Sequence, residues 1–392
     1  SIIGESMDKT IIVNKPAIEN EGIGTTATLL NTSNNLYMQD VTLQNALEYY
    51  KSGSAGRAVC LQDRGTQTIC KNVKMLSYQD TYYSNEPNGK GQFYFEDSEI
   101  HGTVDYVCGG GDVYFNRVLF VNESRKEGEK NGEDVIAAPN SKSEWGYIFK
   151  DCTIENKAAN FSLGRSWNNI TRLTWLNTTV NQKDEILNDD KKYAYFTINA
   201  MGDAMADKFR LDVLKDAEGN VFSPAEKKVI FKNSGATQQK AEENIILTAE
   251  EAATYTLDAV FGDWKPEAKA AQATATVTTL KDGKLSWTGD AKMYLVAKDG
   301  KFYTLTTENS LTVNDNKASF TVRAANDMGG FGTANGTVST GINSTMATEA
   351  TAIKTAIFAA DGTQLSNLQK GINIIVKTFK DGSKKTNKII IK

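Results

Sequence analysis

The sequence predicts an all-β protein whose larger part is a solenoid of stacked strand-and-turn coils. The main observation is a repeated pattern: an apolar residue, then Asn or Asp three places later, then another apolar residue three places after that. It occurs at Tyr37/Asp40/Leu43, Ile69/Asn72/Met75, Tyr94/Asp97/Ile100, Val113/Asn116/Leu119, Ile148/Asp151/Ile154 and Thr174/Asn177/Val180. The polar positions are 32, 25, 19, 35 and 26 residues apart. Irregular repeats of this length in β-prone sequence are typical of solenoids whose coils carry unequal loops.

A second observation is the rhythm of short β-prone runs in the C-terminal third of the chain. They recur about every ten residues, at Leu285–Trp287, Met293–Ala297, Phe302–Leu305 and Ala318–Val322. This spacing predicts a small β-sandwich over residues 270–335. Hairpin-like runs in residues 350–392 predict a short β tail domain. The solenoid is therefore assigned to residues 1–265.

Both ends of the solenoid carry further signals. The runs Ser1–Ser6 and Thr10–Val13 predict strands at its start. A solenoid that begins directly on a strand exposes an edge, so we expect that a preceding N-terminal cap is missing from this chain. Residues 183–265 are more polar and are predicted to be more helical. One helix is expected to begin at Thr248, because Glu251 follows three residues later as in a capping box.

Composition narrows the classes of function. The chain has 392 residues, a net charge of −4 and a single histidine, His101. No long basic run precedes the last dozen residues, so we expect no nucleic-acid binding, and the apolar runs are too short for a transmembrane helix. One histidine excludes a histidine-rich zinc site, and we expect His101 at the surface or at the edge of a groove. We expect no metal and no cofactor, and a chemistry that depends on carboxylates.

The cysteines are expected to be small buried residues on the coil interiors. None of the spacings between them is that of a C-x-x-C motif, and all fall in the solenoid: Cys60, Cys70, Cys108 and Cys152. A disulfide cannot be inferred from sequence alone, because pairing depends on geometry.

Two aspartates occupy equivalent places in successive coils. Asp80 lies eight residues after Asn72, and Asp105 lies eight residues after Asp97. If the repeat positions stack, these carboxyl groups stack as well, about 4.8 Å apart. Two carboxylates so close rarely ionise alike, because each charge disfavours the other. One charged and one protonated carboxyl would form a pair of nucleophile and acid.

Several separated blocks of residues 1–265 resemble the pectin methylesterases, a family of right-handed parallel β-helix carbohydrate esterases. Arg57-Ala58-Val59-Cys60-Leu61 stands where that family usually has Gln-Ala-Val-Ala-Leu. The other blocks match its motifs in the same order: Tyr78-Gln79-Asp80-Thr81, Gly102-Thr103-Val104-Asp105-Tyr106 and Leu163-Gly164-Arg165-Ser166-Trp167. The resemblance implies a right-handed parallel β-helix and hydrolysis of galacturonate methyl esters in pectin (homogalacturonan), with release of methanol.

The resemblance also implies a role for each matching residue. Asp105 would be the nucleophile that attacks the ester carbonyl. Asp80 would protonate the departing methanol and then activate water. Gln79 would donate its amide N–H to the oxyanion. Arg165 would pair with Asp105 and hold it ionised, and Trp167 would offer a flat face to a sugar ring.

The chain departs from the family pattern at three positions. Arg57 replaces a glutamine of the oxyanion hole, and it could donate to the oxyanion or bind a free carboxylate of the polymer. Cys108 replaces a cleft aromatic, and Ser166 replaces a proline. These changes make a decorated galacturonan a second candidate substrate. Tyr106 is expected to contact substrate, and three more aromatic residues are candidates for the groove: Tyr82, Tyr83 and Trp145.

Two alternatives to the esterase stay open. A β-helix glycoside hydrolase or lyase acting on pectic polysaccharide could use two carboxylates at about 5 Å. A non-catalytic solenoid could instead hold the glycan in the same groove. Products separate the three, since only an esterase releases methanol.

The C-terminal parts also resemble known modules. Residues 270–335 are similar to a fibronectin-III-like module, and residues 350–392 are similar to C-terminal sorting domains of secreted Bacteroidetes proteins. The resemblance implies an exported protein, secreted or at the cell surface, whose partner is a polysaccharide. We expect a monomer.

Overall fold

The computed structural model describes residues 1–52, 56–140, 143–168, 170–187, 196, 205–223, 228–234, 237–243, 245–315, 317–336, 354–359, 363–365, 367, 369–378 and 384–391. The strands of the solenoid part are β1 (Ile2–Ile3), β2 (Ile11–Asn14), β3 (Leu29–Asn31), β4 (Tyr37–Asn45), β5 (Leu61–Asp63), β6 (Thr68–Leu76), β7 (Tyr82–Ser84), β8 (Gln92–Glu96), β9 (Glu99–Gly102), β10 (Val104–Gly109), β11 (Asp112–Asn116), β12 (Leu119–Asn122), β13 (Glu133–Pro139), β14 (Tyr147–Lys150), β15 (Thr153–Asn156), β16 (Asn160–Gly164), β17 (Ile170–Leu176), β18 (Thr178–Val180), β19 (Met205–Leu211), β20 (Leu214–Lys215), β21 (Lys228–Ser234) and β22 (Thr237–Glu243). Short 3-10 turns lie at Ile18–Asn20, Tyr49–Lys51 and Lys183–Glu185.

Two sheets of mainly parallel strands wrap around one core, as expected for a parallel β-helix. The larger sheet runs β20-β18-β15-β12-β9-β6-β8-β11-β14-β17-β19-β21-β22; β4 also pairs with β6, and β1 and β2 pair with β4. The second sheet runs β16-β13-β10-β7-β5-β3. Strands of successive coils pair in parallel and lie in register, so equivalent side chains form columns along the axis. The all-β solenoid predicted from the repeat is therefore confirmed.

The polar repeat positions form a corner of the solenoid in the left-handed backbone region. Positive φ angles occur at Asp40 (57°), Asn72 (51°), Asp97 (50°), Asp151 (55°) and Asn177 (49°). Asn and Asp tolerate this conformation better than other non-glycine residues. Neighbours in the column also bond to one another, because Asn72 Nδ2 donates to Asp40 Oδ1 and Asn177 Nδ2 donates to Asp151 Oδ1, each at 2.5 Å.

The fourth copy of the repeat was predicted one residue out of register. Arg117, not Asn116, has the positive φ (55°) and lies at the corner. The apolar positions of this copy are accordingly Tyr114 and Phe120, not Val113 and Leu119. Tyr114 pairs with Tyr94 and with Ile148 in the neighbouring coils. Arg117 compensates for its non-ideal conformation with a two-pronged ion pair, in which Nε donates to Asp97 Oδ1 at 2.8 Å.

Stacked aromatic rings fill the lumen of the solenoid. Phe95, Phe115, Phe149 and Trp175 are fully buried and occupy one column, with ring centroids 4.9, 4.7 and 3.8 Å apart in turn. Offset or tilted stacks of this kind add to the stability that burial of apolar surface provides. The four cysteines are buried with free thiols, as expected for small residues on coil interiors.

Three short helices cover part of the outer face: α1 (Ala249–Ala252), α2 (Leu257–Phe261) and α3 (Pro266–Ala270). The capping box of Thr248 and Glu251 is present, as predicted. Val260 and Phe261 pack against the outer tyrosines of the solenoid. The prediction of helix for residues 183–265 was wrong over 205–243, where the described residues form β19 to β22 instead. Ala270 of α3 belongs to the same apolar cluster.

The next part of the chain forms two antiparallel sheets. Its strands are β23 (Thr276–Lys281), β24 (Lys284–Thr288), β25 (Tyr294–Lys298), β26 (Lys301–Thr306), β27 (Ser310–Thr312), β28 (Phe320–Ala324) and β29 (Asn335–Gly336). The orders are β23-β24-β27 and β26-β25-β28-β29, and side chains of both sheets share one core. A two-sheet β unit therefore stands where the sandwich was predicted.

The C-terminal strands are β30 (Lys354–Ala359), β31 (Gln364–Leu365), β32 (Gly371–Thr378) and β33 (Lys384–Ile391). They form an antiparallel sheet in the order β31-β30-β32-β33. The rest of the predicted tail domain over 350–392 lies outside the described residues. Among the described helices none is both long and apolar enough to cross a membrane.

Candidate active site

Asp80 and Asp105 stand side by side at the start of neighbouring strands of the second sheet. Val107 pairs with Tyr82 in parallel register, which aligns Asp105 with Asp80 in the preceding coil. Both aspartates are in the left-handed region, with φ of 61° and 50°. A non-glycine residue held there carries some strain, and such strain is common at functional sites. The strand register therefore stacks the two aspartates, as the repeat predicted.

The local sequence explains why the two turns fit together. Asp80 N donates to Val104 O at 3.2 Å, and Thr103 N donates to Tyr78 O at 3.0 Å, so the turns are joined by the backbone. Gly102 is needed between them, since a Cβ at this position would lie 2.1 Å from Tyr106 Cβ and 2.6 Å from Tyr78 O. The glycine thereby allows the close approach that brings the carboxyl groups together.

Arg165 fixes the carboxylate of Asp105. Its Nε donates to Oδ1 at 2.8 Å and its Nη2 donates to Oδ2 at 2.5 Å. The side chains are only 11% and 6% exposed, so water screens this pair weakly. A two-pronged guanidinium holds a carboxylate in one plane as well as stabilising its charge. Arg165 follows β16, and its backbone N–H donates to Ala137 O of the neighbouring coil.

The electrostatic environment of Asp80 differs from that of Asp105. It is 4% exposed, and burial, together with the charge of Asp105, raises its pKa well above the usual value, although Arg57 and Arg165 oppose the shift. Cys108 Sγ lies 4.0 Å from Asp80 Oδ1 and adds a weakly polar, buried neighbour. The pair therefore combines a carboxyl group bound by a guanidinium with a buried carboxyl group whose pKa is raised.

Gln79 and Arg57 lie beside the pair. They form an isolated parallel bridge between successive coils, and Gln79 is partly exposed. Within the described part of the chain the Gln79 side chain makes no hydrogen bond, so its amide is available to an incoming group. Arg57 Nε and Nη2 donate to Glu21 at 3.0 and 2.7 Å. Glu21 was not singled out in the sequence, because it is distant in the chain and carries no motif.

The aromatic candidates separate into groove and core. Trp167 and Tyr83 are both partly exposed, with ring centroids 6.2 Å apart. The prediction that Tyr106 contacts substrate was wrong, because its ring is fully buried and its hydroxyl donates to Asn122 Oδ1 at 2.9 Å. Tyr82 is likewise in the core, and Trp145 packs against Tyr255 instead.

His101 forms part of a separate ion cluster. Its ring nitrogens lie 2.6 Å from Glu123 Oε1 and 2.5 Å from Glu99 Oε1. Burial alone would lower the pKa of His101, but the hydrogen bonds to these carboxylates raise it. Its side chain is 13% exposed, so it does not lie on the open surface, one of its two expected positions. A cavity of about 450 Å³ also lies apart from the aspartates, next to Arg117 and Asp151. In the described residues, no three His, Cys, Asp or Glu side chains come together as a metal site.

Together these observations define a class: a parallel β-helix in which a carboxyl group paired with an arginine lies beside a buried carboxyl group of raised pKa. Residues 1–188 match the Pectinesterase family model. The chain is 30% identical over 165 residues to pectinesterase B of Pectobacterium parmentieri, and 30% identical over 156 residues to pectinesterase B of Dickeya dadantii. The matches cover 38% and 36% of this chain and span 40% and 35% of those proteins.

Solved structures of pectin methylesterases are also similar. A mutant in complex with a hexasaccharide has a TM-score of 0.49 at 20% identity, over 67% of this chain and 82% of that chain. The enzyme from Yersinia enterocolitica has a TM-score of 0.45 at 23% identity, over 67% of this chain and 87% of that chain.

Proposed function

We propose that the protein is a carboxylic-ester hydrolase that removes methyl esters from the galacturonate units of pectin. The observation that carries the proposal is the contrast between two adjacent aspartates: Asp105 accepts two hydrogen bonds from Arg165, whereas burial and the Asp105 charge raise the pKa of Asp80. A nucleophile and an acid are the two groups that a two-step ester hydrolysis requires. The pectinesterase-family match of residues 1–188 agrees with this choice of ester.

In the first step an Asp105 oxygen attacks the carbonyl carbon of the methyl ester. The oxyanion that forms accepts a hydrogen bond from the Gln79 amide. When the tetrahedral intermediate collapses, the C–O bond to the methoxy group breaks and Asp80 gives its proton to that oxygen. Methanol leaves, and an anhydride joins the galacturonate to Asp105.

In the second step Asp80, now a carboxylate, takes a proton from water while the water oxygen attacks the galacturonate carbonyl of the anhydride. Collapse of this intermediate releases the Asp105 carboxylate and a galacturonic acid, which ionises. Asp80 has recovered its proton, so the site is ready for another ester. Arg165 keeps the same two hydrogen bonds to Asp105 before and after the cycle, which limits reorganisation.

Trp167 and Arg57 would bind substrate around the reacting unit. Trp167 offers a partly exposed ring next to Tyr83, suited to the apolar face of a sugar. Arg57 is 41% exposed and is held in place by Glu21, so its remaining N–H groups can donate to the oxyanion or to a free carboxylate of the polymer. A substrate too large to enter a cell implies that the protein acts after export.

The test is methanol release from highly methylated pectin by the wild type and by Asp105→Asn. We expect methanol from the wild type and a loss of at least about a thousandfold in the variant, because the amide is a poor nucleophile. Circular dichroism and thermal melting of the variant check that it is folded. An active Asp105→Asn protein would remove the nucleophile assignment. Shortened or unsaturated oligosaccharides without methanol would instead identify a glycosidase or lyase.

A further inference from the structure

Glu21 and Arg57 form an ion pair that connects a distant turn of the chain to the site. Glu21 directly follows the 3-10 turn Ile18–Asn20, and its carboxylate accepts hydrogen bonds from both the backbone and the side chain of Arg57. The backbone N–H donates to Oε2 at 2.9 Å, Nε donates to Oε2 at 3.0 Å and Nη2 donates to Oε1 at 2.7 Å. A carboxylate bound in this way fixes the orientation of the guanidinium.

The turn that carries Glu21 is itself bound to the coil of Arg57. Gly22 N donates to Arg57 O at 3.4 Å, and Thr26 Oγ1 donates to Gly22 O at 2.7 Å. Thr26 Oγ1 also accepts a hydrogen bond from Val59 N at 3.1 Å. The side chain of Glu21 is 14% exposed, whereas that of Arg57 is 41% exposed. A mostly buried carboxylate therefore anchors a guanidinium whose remaining N–H groups can reach a ligand.

This guanidinium belongs to the residue that pairs with the oxyanion donor of the proposed reaction. Arg57 and Gln79 form a bridge between successive coils, and Ala58 N donates to Gln79 O at 2.9 Å. Asp80, the acid, follows Gln79 in the chain. A fixed cation at this place would stabilise an oxyanion. It would also favour the carboxylate form of Asp80, which works against proton donation.

Glu21 offsets this second effect because it carries the opposite charge. Hydrogen bonds from the Arg57 side chain lower the pKa of Glu21, so Glu21 is ionised at neutral pH. Burial and the Asp105 charge raise the pKa of Asp80. Arg57 and Arg165 lower that pKa, and the charge of Glu21 raises it. Two further titratable side chains lie near Asp80, on β10 and β7: Cys108 and Tyr83.

We propose that Glu21 is a positioning residue of the site: it holds the Arg57 guanidinium beside Gln79 as an oxyanion donor and compensates its charge next to Asp80. This proposal rests on the proposed function for the reaction that the donor and the acid serve. Glu21 acts through Arg57 and not on the ester. A cation can then occupy this place while the neighbouring acid keeps its proton.

The experiment measures the pH dependence of methanol release in Glu21→Gln. Glutamine has the size of glutamate, so the variant loses the charge and keeps an acceptor oxygen. We expect the alkaline limb of kcat/KM to move about 0.5–1 pH unit lower, because the charge of Arg57 is no longer compensated. When Glu21→Gln is combined with Arg57→Gln, the limb should return at least to its wild-type position. Glu21→Asp, which keeps the charge, should keep the limb near that position.

Glu19→Gln is the matched control, because it makes the same change at an exposed residue of the adjoining turn. It should leave the alkaline limb in place. Circular dichroism and thermal melting check that each variant is folded. If the limb stays in place in Glu21→Gln, or stays low when Arg57→Gln is added, Glu21 does not act through the charge of Arg57 and the proposal is wrong.

A second measurement does not depend on turnover. The carboxyl carbon resonance of Asp80, assigned by its loss in Asp80→Asn, gives the pKa of Asp80 in an NMR titration. We expect this pKa to fall in Glu21→Gln and to recover when Arg57→Gln is added; an unchanged pKa in Glu21→Gln would contradict the proposal. If the wild type releases no methanol but this pattern is found, the compensation of Arg57 by Glu21 stands and the esterase reaction falls.

Discussion

In the proposed mechanism, the charges around Asp80 set the pH range in which the two aspartates can act. Burial and the Asp105 charge raise the pKa of Asp80, whereas Arg57 and then Arg165 lower it. In the proposed mechanism Asp80 donates a proton in the first step, so activity should fall as pH rises through its raised pKa. A positive charge nearby favours the carboxylate and therefore moves this fall to lower pH.

Arg57→Gln should for this reason move the alkaline limb of kcat/KM to higher pH. At neutral pH we expect a loss of no more than about tenfold, since glutamine can still donate an N–H to the oxyanion. The measurement is methanol release across pH in wild type and variant. Arg57→Lys keeps the charge and should keep the alkaline limb near its wild-type position. If the alkaline limb of kcat/KM stays in place or moves to lower pH in Arg57→Gln, Arg57 does not lower the pKa of Asp80.

The sequence could predict the carboxylate pair because stacking follows from register, and register follows from the repeat. The same reasoning failed at Arg117, where Asn116 one position earlier resembles the marker and both Val113 and Tyr114 are apolar. It also failed for Tyr106, because the side chain after a left-handed corner residue turns into the core. Which way a ring points at a corner depends on backbone geometry that residue types alone do not specify.

At the scale of elements, the site depends on how closely the turns before β7 and β10 approach. The two turns share backbone hydrogen bonds, and Gly102 provides the space between them. A methyl group there would collide with the Tyr106 Cβ and with a backbone oxygen. Neither atom can move without displacing a turn that carries an aspartate, so a change at this glycine should affect both stability and activity.

Gly102→Ala is therefore expected to lower the free energy of unfolding by on the order of 2–4 kcal/mol and to reduce methanol release at least about tenfold. Urea denaturation and the methanol assay measure the two effects. Gly24→Ala is the control, since a Cβ at Gly24 has nothing within 4 Å and should change stability by less than about 0.5 kcal/mol. A fully active Gly102→Ala protein would mean that the turns tolerate separation.

Element prediction was reliable where the pattern was long and regular, as in the coils and in the strands of the two-sheet unit. It failed over residues 205–243, where polar sequence suggested helix but the described residues pair as strands β19 to β22. In this region β19 pairs with β17, which would otherwise be the edge strand of the sheet. Pairing with the neighbouring coil, not local propensity, therefore decides the conformation.

At the scale of the whole molecule, the two-sheet unit docks on the first coils of the solenoid. Asn326 Nδ2 donates to Tyr37 OH at 3.0 Å, and Gln39 Nε2 donates to Phe331 O at 3.0 Å. Arg323 Nη2 lies 3.5 Å from Asp40 Oδ2. Tyr37 and Gln39 are buried by this contact and by their own coil. Buried polar groups that bond across a boundary couple the stabilities of the two sides.

We therefore expect the wild type to unfold with the solenoid and the two-sheet unit coupled in one calorimetric transition. Asn326→Ala removes the bond to Tyr37 and the side-chain acceptor for Met328 N and Gly330 N, at a cost of about 1–3 kcal/mol. It should separate the melting of the two-sheet unit from that of the solenoid. Asn309→Ala, which loses only an exposed bond to Gly289 O inside the unit, should keep one transition. Two separate transitions in the wild type would contradict this prediction, because the solenoid and the two-sheet unit would then unfold independently.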